Sequence, residues 1–413
     1  MEKAILVGLD LGLVSDFKES MHELKGLAEA CDVEVVGAIT QKAETPSPVF
    51  YIGQGKVEEL RQSIDTLDAN LLIFDDELSP SHIRNLEKSL EIKIIDRTIL
   101  ILDIFARRAK TKEAMLQVEL AQSEYYLPRI IGMYKSLSRQ KSGTGSKGPG
   151  EQQLELDRRI IRNKIYKLKK ELAAIVEVRR TQRHKRLVSN IPIVAVVGYT
   201  NSGKSTLMNA IMSRADQKPE KYVFEKDMLF ATLETQTREI KQVNNHDFLL
   251  TDTVGFISKL PHQLIEAFKS TLEEITEANL VLHVIDASNP QQQNQAATVE
   301  KVLVELGAEN IPVIHVLNKM DLCSDIPANS YANPIYISAL NGQNIDGLID
   351  AIDGVLFSGR HLVRMLIPFD KGGIYNELQE KANIKLTEYR SDGTFVIVEL
   401  PDILYNKYQE YIV

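Results

Sequence analysis

The sequence predicts an α/β protein with three folded parts. These are an N-terminal parallel α/β domain with a two-helix coiled-coil arm, a central doubly wound sheet with a phosphate-binding loop, and a small C-terminal α+β module. Three observations predict this fold class. Strand-like and helical segments alternate over the first hundred residues, apolar residues follow a coiled-coil spacing after residue 150, and an apolar strand at 191–197 leads into a glycine-rich loop.

The N-terminal part has the alternation that is typical of a parallel sheet covered by helices. Its β-rich runs and its helical stretches lie at residues 4–8, 16–30, 33–39, 57–63, 71–74 and 93–95. Gly53-Gln-Gly-Lys56 lacks the full spacing of a phosphate loop, so we interpret it as a structural turn, with an RNA or nucleotide contact as the alternative. Since 413 residues are enough for more than one core, we expect four segments: 1–100, 101–188, 189–359 and 360–413.

The second segment is predicted to be the arm. A helical pattern extends from Thr98 to Tyr126, a glycine-rich tip follows at 143–150, and a second helix has apolar residues at spacings of mostly three and four: Leu154, Ile161, Ile165, Leu168, Leu172 and Ile175. From Arg158 to Arg186 there are twelve basic residues against two acidic ones, a local charge of +10 in a chain of net charge −8. Such a helix is suited to bind phosphates, although the solvated face of an ordinary coiled coil is the alternative.

Composition limits the class of protein. No apolar run approaches the ~20 residues that span a bilayer, and the first residues lack a secretion signal, so we expect a cytoplasmic protein without a membrane span. Cys31 and Cys323 are far apart in sequence and predict neither a disulfide nor a cysteine metal cluster. We expect both to be buried, reduced packing residues, and the chain to be a monomer.

The glycine-rich loop carries the first chemical motif. Gly198-Tyr-Thr-Asn-Ser-Gly-Lys-Ser205 fits the phosphate-loop pattern between a strand and a helix, where main-chain N–H groups hold phosphate oxygens. We predict that Lys204 binds the β- and γ-phosphates and that the Ser205 hydroxyl binds Mg²⁺. The predicted nucleotide contacts are Gly198, Tyr199, Thr200, Asn201, Ser202, Gly203, Lys204 and Ser205. This motif alone does not distinguish ATP from GTP.

Two further segments are predicted to complete the phosphate end. Asp252 should hold Mg²⁺ through water and the Gly255 N–H should contact the γ-phosphate, with Thr253 and Val254 between them at the nucleotide. In the segment Phe230, Ala231, Thr232, Leu233 and Glu234, Thr232 is predicted to complete the Mg²⁺ shell in the GTP state. Thr235 and Thr237 are alternatives for that role, and each could instead be a strand-surface residue. A loop held by γ-phosphate and metal is released after hydrolysis, which predicts a switch.

The base should be selected by Asn318, Lys319, Met320 and Asp321, which end another apolar strand. Guanine presents N–H donors that adenine lacks, so the Asp321 carboxylate can accept two hydrogen bonds from guanine only. Sites built on such pairing reject the mismatched ligand by roughly 10⁴ to 10⁵. Ser338, Ala339 and Leu340 follow the next strand and should meet guanine O6 through their main chain. Together the motifs predict a P-loop GTPase that binds GTP and GDP.

Two positions bear on the rate of hydrolysis. Phe256 follows Gly255, where many such GTPases have a glutamine that orients the attacking water. We therefore expect slow hydrolysis by the protein alone and stimulation by a partner. Asn201 is predicted either to bind a K⁺ ion that supplies charge at the β/γ bridge or to stabilise the turn of the loop.

The chain as a whole resembles an HflX-type GTPase, a translation-factor-related family that binds ribosomes. The resemblance covers most of residues 1–360 and rests on these motifs: Tyr51-Ile-Gly-Gln-Gly-Lys-Val-Glu-Glu-Leu60, Phe74-Asp-Asp-Glu-Leu-Ser79, Ile95-Asp-Arg-Thr98, Gly148-Pro-Gly-Glu151, Leu156-Asp-Arg-Arg159 and Leu229-Phe-Ala-Thr-Leu233. The family usually has Asp at position 234, where this chain has Glu. The resemblance implies binding to the large ribosomal subunit, stimulation of GTP hydrolysis by that subunit, and splitting or rescue of stalled ribosomes under stress.

The resemblance also implies contact with ribosomal RNA through the arm and its tip, with the tip directed toward the catalytic centre of the subunit. The candidate contacts are Gly143, Gly145, Lys147, Gly148, Gly150, Arg158, Arg159 and Arg162. Two alternatives remain open. One is an RNA-remodelling ATPase with a regulatory GTP site, and the other is a GTP-gated module that occupies ribosomes without separating them.

Overall fold

A computed structural model describes residues 2–12, 17–134, 149–188, 191–214, 236–242, 246–259, 274–326 and 331–413. These residues divide into two compact units. The first unit contains those up to residue 184 together with 255–259, and the second unit contains the rest. The predicted boundaries at residues 100, 188 and 359 stay predictions. Several predicted contacts lie outside the described residues: Phe230, Ala231, Thr232, Leu233, Glu234, Gly143, Gly145, Lys147 and Gly148.

The first unit begins with a parallel sheet in the order β2-β1-β3-β4. The strands are β1 (Lys3–Asp10), β2 (Glu34–Lys42), β3 (Leu71–Phe74) and β4 (Lys93–Asp96). The helices are α1 (Phe17–Ala30), α2 (Gln54–Leu67), α3 (Pro80–Leu90) and α4 (Arg97–Arg108). Both faces of β1 and β3 are buried, as expected for the inner strands of a parallel sheet.

Six side chains at the carboxyl ends of β3 and β4 form what we call the ionic cluster: Ser20, Glu23, Asp75, Asp76, Arg97 and Lys259. The Arg97 guanidinium donates to Asp75 at 2.7 Å and also to Glu23. The Lys259 ammonium donates to Asp75 at 2.5 Å and to Asp76 at 2.6 Å. Burial raises the pKa of Asp75, and the Lys259 charge opposes that shift. The cluster thus places carboxylates and cations at bonding distance inside one unit.

The arm consists of two helices, α5 (Lys112–Tyr134) and α6 (Pro149–Val188). Its apolar seam contains Leu116 and Leu120 of α5 and Leu168 of α6, with further residues packed against it: Ile165, Leu172 and Ile175. Two ion pairs of 2.8 Å, Lys164 with Glu119 and Lys169 with Glu124, connect the same helices. The two-helix arm of the predicted fold class is present.

The prediction of one helix from Thr98 to Tyr126 was wrong, because the chain leaves the helix between α4 and α5. Ala109 has an extended conformation, with φ −62° and ψ 117°. The Thr111 hydroxyl then accepts the Ala114 N–H at 3.2 Å, which caps the start of α5. Since neither glycine nor proline marks this break, helical periodicity did not reveal it.

The second unit contains a six-stranded sheet in the order β10-β9-β8-β5-β7-β6, in which only β6 is antiparallel to its neighbour. The strands are β5 (Ile193–Gly198), β6 (Gln236–Ile240), β7 (Phe248–Asp252), β8 (Leu280–Asp286), β9 (Val313–Asn318) and β10 (Ile335–Tyr336). The helices are α7 (Lys204–Arg214), α8 (Gln292–Glu305) and α9 (Ile345–Leu356). This is the doubly wound sheet of the predicted fold class.

The C-terminal module is an antiparallel sheet in the order β11-β13-β12 with two helices. Its elements are β11 (His361–Ile367), α10 (Gly372–Lys381), β12 (Asn383–Arg390), β13 (Gly393–Leu400) and α11 (Asp402–Lys407). At the hairpin turn Gly393 has φ +155°, and a Cβ there would lie 2.4 Å from the Ile367 carbonyl oxygen. The small α+β module of the predicted fold class is therefore present.

Two sequence predictions concern the cysteines. Cys31 is buried, which confirms its prediction. The prediction for Cys323 was wrong, because the loop after β9 leaves this residue partly exposed. Within the described ranges, no helix has the length and apolar character that crossing a membrane requires.

Candidate functional site

The phosphate loop lies between β5 and α7 at the carboxyl edge of the sheet. Its two glycines are required by close approaches of the backbone. A Cβ on Gly198, at φ +157°, would lie 2.3 Å from the Val284 carbonyl oxygen, and one on Gly203, at φ +89°, would lie 2.2 Å from Asn318 Nδ2. Both positions therefore need glycine for the loop to pack against β8 and β9.

Lys204 is the first residue of α7 and is almost fully buried. Its ammonium donates to the carbonyl oxygens of Gly198, at 3.2 Å, and Tyr199, at 2.7 Å. Burial lowers the pKa of Lys204 to about 8, while the Asp252 charge raises it and the Lys319 charge lowers it further. A cation that burial disfavours would be stabilised by an anion, and phosphate is the anion that this loop geometry accepts.

Ser205 and Asp252 meet beside the loop because β5 and β7 are adjacent parallel strands. The Ser205 hydroxyl donates to Asp252 Oδ2 at 3.1 Å, and Asp252 is fully buried. Thr253 donates to the Val196 carbonyl oxygen at 2.7 Å, which fixes the chain after β7. A hydroxyl and a carboxylate supply only oxygen donors, which are the ligands that Mg²⁺ prefers, so these residues fit that ion.

Asn318 connects the phosphate end of the site to the base end. Its amide nitrogen donates to the Ser202 carbonyl oxygen at 2.9 Å, and its amide oxygen accepts the Ala339 N–H at 2.9 Å. One side chain at the end of β9 thus holds the phosphate loop and the 338–340 loop together. Because Asn318 is three residues from Asp321 and Ser202 is two residues from Lys204, the predicted base and phosphate groups belong to one site.

The base end is held by hydrogen bonds among its own residues. Asp321 Oδ1 accepts the Ser338 hydroxyl at 2.5 Å, and the same hydroxyl accepts the Asn341 N–H at 3.2 Å. Asp321 is exposed, so its carboxylate can be reached by a ligand. Lys319 has φ +65°, and its ammonium lies 2.8 Å from Asp286 Oδ2. Asp286 is a site residue that the sequence analysis did not identify, although it ends the apolar strand β8.

Other predicted site residues differ in their surroundings. Thr200 is buried, Met320 is partly buried, and Leu340 is exposed. Asn201 is exposed at φ +59°, a left-handed conformation that asparagine tolerates in a turn. Val254 and Gly255 are buried.

The structure also describes residues for which the sequence left more than one role open. Thr237 lies on β6, where its hydroxyl is 3.1 Å from that of Thr251, as expected for a residue on a strand surface. Phe256 is buried and its ring carries no polar atom that could orient water. In the turn before α2, the Gly53 N–H donates to Gln41 Oε1 at 2.9 Å and Lys56 lies 2.7 Å from Glu59, which favours the structural interpretation.

The candidate RNA contacts on the arm lie on α6. Arg159 and Arg162 are exposed and Arg158 is partly buried, while Gly150 lies in the first turn of the helix. Exposure of Arg159 and Arg162 leaves the RNA contact as a prediction from the charge pattern.

Three family models match consecutive parts of the chain: a GTP-binding GTPase N-terminal region over residues 18–106, a GTP-binding GTPase middle region over 108–186, and a 50S ribosome-binding GTPase over 193–319. A GTP-binding protein from Sulfolobus solfataricus, solved in complex with GDP, aligns over 86% of this chain and 98% of its own, with 26% identity and a TM-score of 0.44.

Curated relatives match along nearly the whole chain. The GTPase HflX of Caldanaerobacter subterraneus subsp. tengcongensis is 45% identical over 100% of this chain and 94% of its own length. The GTPase HflX of Alkalihalophilus pseudofirmus is 41% identical, covering 97% and 93%, and that of Escherichia coli K12 is 38% identical, covering 95% and 92%.

Proposed function

Because the chain belongs to the HflX family of GTPases, we propose that it is a GTP-driven switch that binds the large ribosomal subunit and splits or rescues stalled ribosomes under stress. The chain is a GTPase, as its family is. The observation that carries the proposal is the Asn318 side chain, which joins the phosphate loop to the loop beside Asp321. One nucleotide can therefore be held by both ends of the site. A protein that acts on ribosomes would be located in the cytoplasm, and we expect it to be a monomer there.

The phosphate end binds and orients the triphosphate. Lys204 binds the β- and γ-phosphates and exchanges its bonds to main-chain carbonyl oxygens for bonds to the ligand. Ser205 would ligate Mg²⁺ directly and Asp252 would hold it through water, and the bound ion would supply positive charge to the transferring phosphoryl group. Thr232 and the Gly255 N–H respond to the γ-phosphate, so that GTP and GDP states differ.

The base end selects guanine. The Asp321 carboxylate accepts hydrogen bonds from guanine N1–H and N2–H₂, while Ser338 holds that carboxylate in place. Adenine lacks these donors and would leave the carboxylate without them. The main chain of the 338–340 loop, which Asn318 fixes through the Ala339 N–H, would meet guanine O6.

Hydrolysis by the isolated protein is slow in this proposal. The residue after Gly255 is a buried phenylalanine, which supplies no group to orient water. Binding to the large subunit would position the attacking water, and this would couple hydrolysis to ribosome binding. Asn201 would bind a K⁺ ion at the β/γ bridge, with the turn of the loop as its other role.

The arm is proposed to bind ribosomal RNA. Twelve basic residues lie between Arg158 and Arg186, and the phosphates of RNA attract such a helix without requiring a base sequence. The glycine-rich tip would follow the arm into the subunit. The description of the matched central domain as a 50S ribosome-binding GTPase supports the same partner.

Sedimentation of intact ribosomes with the full chain tests the proposal. With GTP or a non-hydrolysable analogue we expect free subunits, and with the Lys204→Ala variant we expect intact ribosomes. Free subunits with ATP alone would instead support the RNA-remodelling ATPase. Protein that sediments with intact ribosomes in GTP, without releasing subunits, would support the binding module that does not split them.

A second experiment tests the arm. Replacing Arg158, Arg159 and Arg162 by alanine should weaken ribosome binding and flatten its dependence on salt, by up to about 0.7 to 0.9 in logarithmic slope for each lost phosphate contact. The control replaces Arg107 and Arg108, which lie on α4 of the same unit. An unchanged slope would support the alternative that the basic face of the arm is only the solvated face of a coiled coil.

A further inference from the structure

Two histidines meet on one face of the central sheet. His283 of β8 and His315 of β9 are register partners in adjacent parallel strands, so their side chains point to the same side. The ring centroids are 5.5 Å apart. Glu300 of α8 lies over them, with Oε1 3.8 Å from His315 Nε2. One donor atom from each of the three residues lies within 4.8 Å of the others.

His283 is buried in a way that ordinary packing does not explain. Its side chain is 1% exposed, and neither ring nitrogen has a hydrogen-bond partner among the residues that the structure describes. Buried polar groups are nearly always hydrogen-bonded, because a group that loses its hydrogen bonds to water and forms no new ones destabilises the fold. The His283 nitrogen that lies near His315 and Glu300 is therefore available to coordinate a bound ion.

A second buried histidine of the same unit shows the ordinary solution. His246 is 2% exposed, but its Nδ1 lies 2.5 Å from Asp353 Oδ1, and its ring stacks on Phe357. There a carboxylate satisfies Nδ1 directly, and Nε2 lies 3.7 Å from Glu399 Oε2. His283 has a second imidazole and a more distant carboxylate as neighbours, which is the arrangement of a ligand set.

Both imidazoles are suited to bind a metal at neutral pH. Burial is the largest of the causes that lower the pKa of His283 to about 3, and the neighbouring His315 and Lys204 contribute to the same shift. Burial also lowers the pKa of His315, although Glu300 opposes the shift. A neutral imidazole keeps the lone pair that a metal requires.

We propose that His283, His315 and Glu300 form a binding site for a divalent transition-metal ion of the zinc class. Two imidazoles and one carboxylate, with a fourth position for water, are a donor set that Zn²⁺ accepts and that Mg²⁺ does not prefer. Bonds of about 2.1 Å require donors about 3.4 Å apart in a tetrahedron, so the three atoms, which now lie within 4.8 Å of one another, must approach each other by up to about 1.4 Å.

The surroundings permit that approach. The Glu300 side chain is 51% exposed and that of His315 is 21% exposed, so one side of the site opens to solvent and both residues can adjust. The Tyr331 ring stacks on His315 at 4.3 Å and 19° between planes, which orients the imidazole. His283 is also the register partner of Val197, the residue before Gly198, so the site adjoins the strand that leads into the phosphate loop.

The test is a titration of the untagged full chain, stripped of metal and saturated with Mg²⁺ and GDP, with Co²⁺ as a visible probe. We expect one equivalent of Co²⁺ with the intense visible absorption of tetrahedral coordination, displaced by Zn²⁺ and not by millimolar Mg²⁺. Zn²⁺ should also raise the unfolding temperature, because the ligand binds only the folded site.

Two variants and two controls decide the assignment. His315→Ala and Glu300→Gln change partly exposed residues and should each weaken Co²⁺ binding by more than about tenfold. The controls are His361→Ala, an exposed histidine, and Glu305→Gln on the same helix as Glu300. The absence of a tetrahedral spectrum, or equal binding by the variants and the controls, would overturn the proposal. His283→Ala is a supplementary variant, because removing a buried ring can also impair folding.

Discussion

The nucleotide site of the second unit and the ionic cluster of the first unit occupy equivalent places, but they balance their charges differently. Each lies at the edge of a sheet where parallel strands have their carboxyl ends. In the cluster, Asp75 follows β3 and Arg97 follows β4. In the nucleotide site, Lys204 follows the loop after β5 and Asp252 is the last residue of β7. In the cluster, the Arg97 guanidinium contacts carboxylates directly. In the site, the Lys204 ammonium bonds to carbonyl oxygens, and burial lowers its pKa to about 8.

The difference shows how one architecture can serve stability or binding. Buried charges that neutralise each other make the folded state sensitive to the loss of either one, since removing one partner leaves the other without compensation. A buried cation bonded only to dipoles is disfavoured until an anion arrives, which makes binding favourable. Removal of the two cations should therefore have opposite consequences, and the predictions below test that difference from the largest effect to the smallest.

The largest effect should come from Asp321, an exposed carboxylate that contrasts with the buried ones of the cluster. Asp321→Asn should change the preference from guanine to xanthine nucleotides, because an amide donates where the carboxylate accepts. The ratio of GTP to XTP affinity should change by roughly 10⁴, measured by competition for a fluorescent nucleotide. Asp325→Asn, in the exposed loop that follows, is the control. Unchanged GTP affinity would remove Asp321 from the site.

The next effect should be the loss of Arg97. Arg97→Met should lower the free energy of unfolding by about 3 to 5 kcal/mol, because Asp75 and Glu23 both lose the buried guanidinium and Lys259 alone of the two cations stays beside Asp75. Urea unfolding measures it, and GDP affinity of the folded protein should be retained. Arg107→Met on the same helix is matched, since its pair with Asp32 is exposed and should contribute at most about 1 kcal/mol. Equal costs for the two variants would contradict the stabilising role of the cluster.

Lys204→Ala should give the opposite result. Hydrolysis in single-turnover assays should fall by at least about 10² to 10³, the range for removing one preorganised donor from a charged transition state. The unfolding of the nucleotide-free variant should occur at the same or a higher urea concentration, because a disfavoured buried charge is gone. The exposed Lys301 provides the control. Normal turnover by Lys204→Ala would contradict the role of Lys204 in phosphate binding, and with it the contrast between the two regions.

The nucleotide site was more predictable from the sequence than the ionic cluster was. Each of its motifs directly follows an apolar strand, and parallel strands bring their carboxyl ends to one edge of the sheet. Position in the sequence therefore implied position in space for Lys204, Asp252 and Asn318. The pair of Lys319 with Asp286 was missed, because a single aspartate after a strand has no distinctive spacing.

The cluster could not be predicted in this way. Lys259 and Asp75 are 184 positions apart, and Arg97 and Glu23 are 74 apart, with no motif to connect them. The break after α4 was missed for a related reason, since a threonine caps the start of a new helix within an otherwise continuous helical pattern. Tertiary pairing and single caps decide such features, and neither has a period that sequence analysis can detect.

The smallest effect should be a pH dependence that only the nucleotide site shows. Lys204 has a folded pKa of about 8 against an ordinary value of 10.5, so the folded, nucleotide-free protein binds fewer protons than the unfolded chain between these values. Its contribution to stability should therefore rise with pH across that window. Phosphate binding needs the charged lysine, so GDP affinity should be constant below about pH 7 and fall by up to about tenfold per unit above about pH 8.

Opposite trends in one protein distinguish this titration from general alkaline unfolding, which would lower affinity and stability together. GDP titrations and urea unfolding from pH 7 to 9.5 measure both quantities, and Lys204→Ala should remove the pH dependence of each. Arg97 remains charged across this range, so Arg97→Met should keep the full pH dependence on a less stable background. If GDP affinity is constant to pH 9.5, Lys204 holds its proton as firmly as the paired cations do, and the two regions balance their charges alike.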